Sequence, residues 1–249
     1  MVRALVVAVV VVLGCSREAT TTDVVVPAPA PAPEVAAVAP AAAVTIELTH
    51  DVICPWCRIG HARLNKALAA YGKPVTIVYR PFLLDPDMPP EGADMRERLA
   101  AKYGAERIAG MFTRVTQIGA QDGLVFAFDK ITRSPNSVAA HVLIEAAPAD
   151  KKAALLDALH HAYFERGEDL GNAAVLEACW VAAGLPADGA KAALADASLA
   201  AKVRSDATAA SQSGIRGVPN FKIGATTLNG AQPVEAIVEA LRKAEPARP

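Results

Sequence analysis

The chain lacks the charge excess that would tie it to a polyelectrolyte. Its 25 Lys and Arg residues nearly balance 26 Asp and Glu, and a formal net charge of −1 gives no electrostatic reason to expect nucleic acid or an acidic surface as partner. It also lacks a membrane span where the N-terminus is most apolar. As a helix, residues 4–13 would cover about 15 Å, against a hydrocarbon core of roughly 30 Å. Cysteine is scarce, four in 249 residues, and no internal repeat is evident. With 53% hydrophobic residues, the chain can bury a full core as one or two domains. Alanine dominates the helical stretches, raising helix propensity but leaving thin side chains to pack.

Two of the four cysteines stand together as Cys54-Pro55-Trp56-Cys57, between an apolar strand pattern and a helical one. The spacing places Cys54 at a helix N-terminus, where unpaired N–H groups and the helix dipole favour an anion. The second thiol, three residues on, can close a disulfide with it. A bare C-x-x-C also serves as half of a zinc site or as a pair of structural core residues. Zinc needs four ligands, and Cys15, Cys179 and five histidines offer no second pair at ligand spacing, so no metal is expected. A redox dithiol is the stronger reading.

Ahead of the dithiol lie segments with other roles. Arg3 and the apolar residues 4–13 read as a secretory signal, expected to span 1–14. Val12-Leu13-Gly14-Cys15 resembles a bacterial lipobox, with Leu13 in place of the small residue usual before the glycine. That resemblance implies cleavage before Cys15 and lipid on it. Ser16, where Asp would signal retention, implies the outer membrane over the inner. Residues 15–43 then form a Pro-, Ala- and Thr-rich stretch expected to be a disordered tether. Its polyproline-like reach is on the order of 80 Å.

The folded part starts with alternating apolar and polar residues at 44–49, a strand pattern. Pro55 suits the first turn of a helix whose apolar positions Leu64, Ala67, Leu68 and Tyr71 share one face, and Gly72 ends it. A β-branched run at 75–79 completes a right-handed βαβ unit before Pro81. Helices are predicted at 94–102, 105–121, 135–146, 150–166, 173–183 and 197–213. Strands return at 218–224 and 226–228, followed by a helix at 233–243. The expectation is one α/β domain, 44–92 with 214–245, interrupted by a helical insertion at 93–213.

The Cys54-Pro55-Trp56-Cys57 motif after a strand, together with Gly217-Val218-Pro219-Asn220-Phe221 near the C-terminus, resembles the thioredoxin-fold DsbA superfamily. Asp51 through Gly60, Asn136 through His141, Ala162-Tyr163-Phe164 and Gly230-Ala231-Gln232-Pro233 resemble its FrnE-like branch. That branch is related to 2-hydroxychromene-2-carboxylate isomerases and kappa-class glutathione transferases. The resemblance covers roughly 44–245. It implies a thioredoxin fold, the helical insertion lying between its βαβ half and its C-terminal ββα half. It also implies a cis Val218–Pro219 peptide beside the dithiol, where an extended substrate segment pairs with the exposed strand edge.

On that reading Cys54 is the exposed nucleophile and Cys57, one turn in, the buried resolving thiol. Pro55, Trp56, Val218 and Pro219 line the substrate side. Arg58 either adds positive charge there or lies on a solvated helix face. Glu47 and Asp51 are both candidates for moving a proton at Cys57. Cys179 reads as a core thiol. Asn136 and His141 read as either substrate-side residues or a cap and a satisfied histidine, and His160-His161 as surface.

The expected activity is thiol–disulfide exchange on cysteine-containing proteins, as oxidase or isomerase, in the periplasm on a lipid anchor. It needs no cofactor beyond the Cys54–Cys57 pair, and it needs a redox partner. Two other classes compete: a glutathione-dependent isomerase or transferase, and a non-catalytic thioredoxin-fold binding module. The first usually has serine at the nucleophile position, whereas this chain has Cys54 and Cys57. The direction of electron flow stays open. Stabilising the Cys54 thiolate by roughly 2.7 kcal/mol raises a thioredoxin-like potential of about −270 mV only to about −210 mV.

Overall fold

The computed structural model describes residues 43–246. The expected signal segment, Cys15 and the tether through residue 42 lie outside the described residues. Within them, β1 (Val44–His50) alternates as its sequence predicts, with Val44, Ile46 and Leu48 buried and Thr45 exposed. A tight loop leads into α1 (Pro55–Tyr71), closed by Gly72 in the left-handed conformation with its N–H on the Leu68 carbonyl. β2 (Val75–Pro81) returns parallel to β1, pairing Val44 with Val75 through His50 with Pro81. The strand runs through Pro81, past the expected end at 79.

The insertion follows. A two-residue strand β3 (Ala93–Asp94) precedes α2 (Met95–Tyr103) and the amphipathic α3 (Ala105–Gln121). β4 (Arg133–Ser134) pairs antiparallel with β3 and ties the ends of that helical pair together. Next come α4 (Val138–Ala146) and α5 (Lys152–His161), the latter running into a π-helical turn, Ala162–Arg166. α6 (Ala173–Ala182), α7 (Ala187–Ala195) and α8 (Ala197–Gln212) complete the insertion, and α4 and α8 pack against β2.

The chain then rejoins the sheet through β5 (Asn220–Ile223), β6 (Thr226–Asn229) and α9 (Val234–Lys243). The sheet order is β2-β1-β5-β6, with β5 antiparallel to both neighbours. α9 buries Ile237, Ala240 and Leu241 and packs beside α1. This is the thioredoxin arrangement with its insertion where the sequence places it. Ile46, Leu48 and Phe221 are almost fully buried at the centre, each stabilising by roughly 1.5–3 kcal/mol.

Three helical segments also differ from expectation. α4 starts at Val138 rather than 135, because Pro135 and Asn136 form the preceding turn and the Asn136 side chain accepts the Val138 N–H. The stretch expected as one helix over 150–166 changes to π geometry at Ala162. α7 is not among the expected helices, because Gly184-Leu185-Pro186 looks like a break. Pro186 is instead the N-cap residue, and Gly189 lies where a Cβ would come within 2.9 Å of the Trp180 ring.

Candidate active site

Cys54 is the N-cap residue of α1, in extended conformation with Pro55 next. Its N–H donates to the Asp51 carbonyl at 3.1 Å, and its own carbonyl accepts from Cys57 (3.0 Å) and Arg58 (3.2 Å). The loop is held from below by Asp51. That carboxylate, fully buried, accepts the N–H groups of Ile53 (3.3 Å) and Leu84 (2.8 Å), joining the helix start to the segment after β2. The Cys54 thiol faces the Val218 carbonyl at 3.7 Å, and the Val218–Pro219 peptide is cis. Gly60 makes this approach possible: a Cβ there would come within 2.7 Å of Pro219 Cγ. Cys54, Cys57 and Val218 form a small apolar cluster, with Trp56, Phe82, Leu84 and Ile215 packed on it.

The two thiols differ from the expectation in one respect. Cys54 is expected to be exposed, yet only 4% of it is; Cys57 shows 2%. Trp56 and the Val218 loop cover the first sulfur, so access is through a cavity and not from open solvent. Burial pushes the Cys57 thiol well above the ordinary thiol range, helped by its hydrogen bond with Cys54, while a backbone N–H of Asp51 works the other way. Cys57 therefore stays protonated at neutral pH.

The cavity, about 480 Å³, opens beside Cys54, Pro55, Trp56 and Val218 and continues under the insertion. Met95, Leu99, Phe112, Phe128 and Phe164 make its wall apolar, with Arg98, Lys102 and Arg114 also among its lining residues. The Arg98 guanidinium is held in a bidentate pair by Asp85. Tyr163 and Phe164 reach the cavity from the π-helical turn. Both belong to the Ala162-Tyr163-Phe164 stretch, which in the sequence carries a resemblance but no expected role.

The remaining candidates sort by contact. Pro219 is buried against Gly60, and its neighbour Val218, not Pro219 itself, faces Cys54 and lines the cavity. Glu47 is half-exposed on β1 and paired with Arg80 and Lys222, both at 3.2 Å. Of the two acids proposed for Cys57, only Asp51 acts on its thiol. Arg58 is neither a thiolate partner nor a solvated residue. It is 3% exposed, donates to the Val125 carbonyl and Glu165, and its guanidinium lies 5.0 Å from the centre of the Phe126 ring, fixing α1 to the insertion. Asn136 ties its turn to the Met88 carbonyl at 2.6 Å. Cys179 is a core thiol facing the Ala158 carbonyl, pushed up to about 11 by burial.

Beneath the dithiol the structure assembles a layer that the sequence does not announce. His50 (β1), His61 (α1), His141 (α4) and His160 (α5) are each at most 2% exposed. His50 packs on His141 at 5.1 Å and on Tyr79 at 5.7 Å, and His61 packs on Tyr79 at 6.3 Å and His160 at 6.1 Å. His160 was expected at the surface; only its neighbour His161 is there, paired with Glu165. His141 Nε2 is 3.5 Å from Asp51 Oδ1, too poorly aligned for a hydrogen bond. Burial drives His50 and His160 well below the usual histidine range, so both are neutral.

Comparison with known proteins agrees with this geometry. A family model described as a DSBA-like thioredoxin domain matches residues 45–242. The crystal structure of a probable DsbA oxidoreductase from Streptomyces coelicolor is 33% identical, covering 83% of this chain and 93% of its own, with a TM-score of 0.72. Two more distant structures share the fold alone. A 2-hydroxychromene-2-carboxylate isomerase has a TM-score of 0.62 at 14% identity, over 80% and 95% of the two chains. The cytosolic disulfide reductase DsbM of Pseudomonas aeruginosa, solved with glutathione, has a TM-score of 0.55 at 21% identity, over 80% and 99%. No curated protein sequence matches. With a helix-capping dithiol, the cis-proline loop facing it and a family match over most of its length, the chain belongs to the DsbA-like thioredoxin domain family of thiol–disulfide oxidoreductases.

Proposed function

We propose that the protein exchanges disulfides with protein substrates through Cys54 and Cys57, as an oxidase or isomerase of the bacterial cell envelope. The observation that carries this is the asymmetry of the two thiols. Cys54 caps α1 and borders the cavity, while Cys57 is sealed beneath it with its proton retained. In the oxidising direction a substrate thiolate attacks Cys54 Sγ of the Cys54–Cys57 disulfide. Cys57 departs as thiolate and takes up a proton. A second substrate thiolate then attacks the substrate sulfur of the mixed disulfide, releasing Cys54. The substrate loses two electrons and two protons, the protein gains them, and a thiol–disulfide redox partner must remove them again. Isomerisation uses the same steps with no net transfer.

The apolar cavity suits a segment with bulky side chains next to its cysteine, laid along Val218 and Trp56. Residues 4–13 and the lipobox ending in Cys15 support an envelope location on a lipid anchor. Among the described residues no helix is long and apolar enough to cross a membrane. The test compares wild type with Cys54→Ser in insulin reduction and in refolding of a scrambled disulfide protein. Residual catalysis by the variant would sink this reading. The potential of the pair, equilibrated against glutathione, then sets direction, and a value below about −260 mV would rule out net oxidation.

The same cavity, aromatic and with cations among its lining residues, favours a second reading: an isomerase of small aromatic acids. Turnover of 2-hydroxychromene-2-carboxylate with glutathione would support it.

A further inference from the structure

The histidine layer beneath the dithiol is not used by the exchange chemistry, and several of its buried polar atoms have no hydrogen-bond partner. Both ring nitrogens of His50 and His160, Nε2 of His61 and His141, and the Tyr79 hydroxyl are buried without a hydrogen bond. Leaving such groups unsatisfied costs roughly 1–3 kcal/mol each. A cluster of them in one place implies something that satisfies several at once.

One part of the layer has the composition of a metal site. His61 stands one turn beyond Cys57 on α1. Asp157 and His160 stand at i and i+3 on α5, so they share a helix face, and that face meets His61. His61 Nδ1 is 3.1 Å from Asp157 Oδ1, and one donor atom from each of the three residues lies within 4.8 Å of the others. We propose that His61, Asp157 and His160 bind one divalent zinc-class cation, one helical turn below the redox pair.

Two imidazoles and one carboxylate are a donor set that suits zinc, and three protein ligands leave a fourth position for water. Bonds of 2.0–2.2 Å place tetrahedral donor atoms about 3.5 Å apart, so the donor pairs that stand further apart, within 4.8 Å, must close on binding, whereas His61 Nδ1 and Asp157 Oδ1 at 3.1 Å are already near enough. Asp157, half-exposed, gives the ion and its water a route from solvent, while His61 and His160 close the site from the core side. The Arg58 guanidinium opposes a cation here, but it is already paired with Glu165.

The competing ligands are the thiolates of Cys54 and Cys57, so the test uses the full-length protein with that pair oxidised. Zinc(II) titrated by calorimetry is expected to bind at one equivalent. Cobalt(II) should give a tetrahedral visible spectrum without the thiolate charge-transfer band. Asp157→Asn and His160→Gln should each weaken binding by more than the ~10–100-fold that loss of an outer-shell partner costs. Asp157 is half-exposed, so its variant should keep the fold and the exchange activity, and circular dichroism and insulin turnover check this. Absence of binding, or binding that both variants leave unchanged, would overturn the proposal. Neither result bears on disulfide exchange, which is read separately by insulin turnover.

Discussion

The dithiol and the histidine layer are one turn of α1 apart, yet they are assembled in opposite ways. Cys54 and Cys57 sit in four consecutive residues, and the groups that fix them are nearly all local: Asp51, the Pro55 start and the first carbonyls of α1. Only the Val218–Pro219 loop comes from far along the chain. The histidines arrive singly from β1, α1, α4 and α5, and no local hydrogen bond binds them into a unit. A site made by one helix start carries its chemistry in a short motif. A layer made where four elements converge exists only once the fold does.

The largest effect that separates them is on turnover. Cys54→Ser should reduce insulin reduction to the rate of the buffer thiol alone. Cys57→Ser should keep the first attack and accumulate mixed disulfides with substrate, detectable by mass spectrometry. Substitution of His141, which meets neither thiol, should do neither. Equal loss of turnover in the His141 variant would break the distinction and make the layer part of the exchange machinery.

The second contrast is mechanical. Gly60 faces Pro219 and Phe221, and a Cβ would already approach Pro219 within 2.7 Å. Gly60→Val should destabilise by about 3 kcal/mol, read from urea midpoints, because neither α1 nor β5 can retreat from a filled core. Gly72→Asn, at the left-handed cap with open space around it, should cost far less.

These contrasts show what the sequence made legible. The strands, α1, the cis-proline loop and the dithiol could be read because each is announced locally: alternation, Pro55 after a cysteine, and a Gly-Val-Pro-Asn-Phe segment. Arg58 was misplaced because helical spacing cannot tell a solvated face from one buried under an insertion 67 residues further on. His160 was misplaced for a related reason. It and His161 are about 100° apart around a helix, so both can face solvent, and only the packing of α5 shows that His160 points inward. Exposure of Cys54 is the expectation because a helix N-cap is usually exposed; Trp56 is local, but the Val218 wall that faces the thiol comes from 164 residues further on.

The third thiol sharpens the comparison at alkaline pH. Cys179 is buried without a helix N-terminus beside it, and its ionisation is pushed up to about 11 from 9.0. In the unfolded chain it releases its proton from about pH 9. The stabilisation is therefore complete below pH 9 and is lost as pH rises to about 11. Between those values wild type should lose about 2 kcal/mol more than Cys179→Ala, by urea unfolding at each pH. Equal slopes would mean that the thiol is wetter than its 2% exposure indicates.

The smallest effect separates the two acids that the sequence offered for Cys57. Glu47 lies in a half-exposed surface pair, so Glu47→Gln should change stability by less than about 0.5 kcal/mol and leave the reactivity of Cys57 untouched. Asp51 is different, because its negative charge adds to the burial that keeps Cys57 protonated. Asp51→Asn removes that charge while an amide oxygen can still accept the Leu84 N–H. In a Cys54→Ser background, the pH at which iodoacetamide begins to modify Cys57 should then move slightly downward. An upward move, or the same move in Glu47→Gln, would mean that the carboxylate acts on Cys57 through loop geometry and not through its charge.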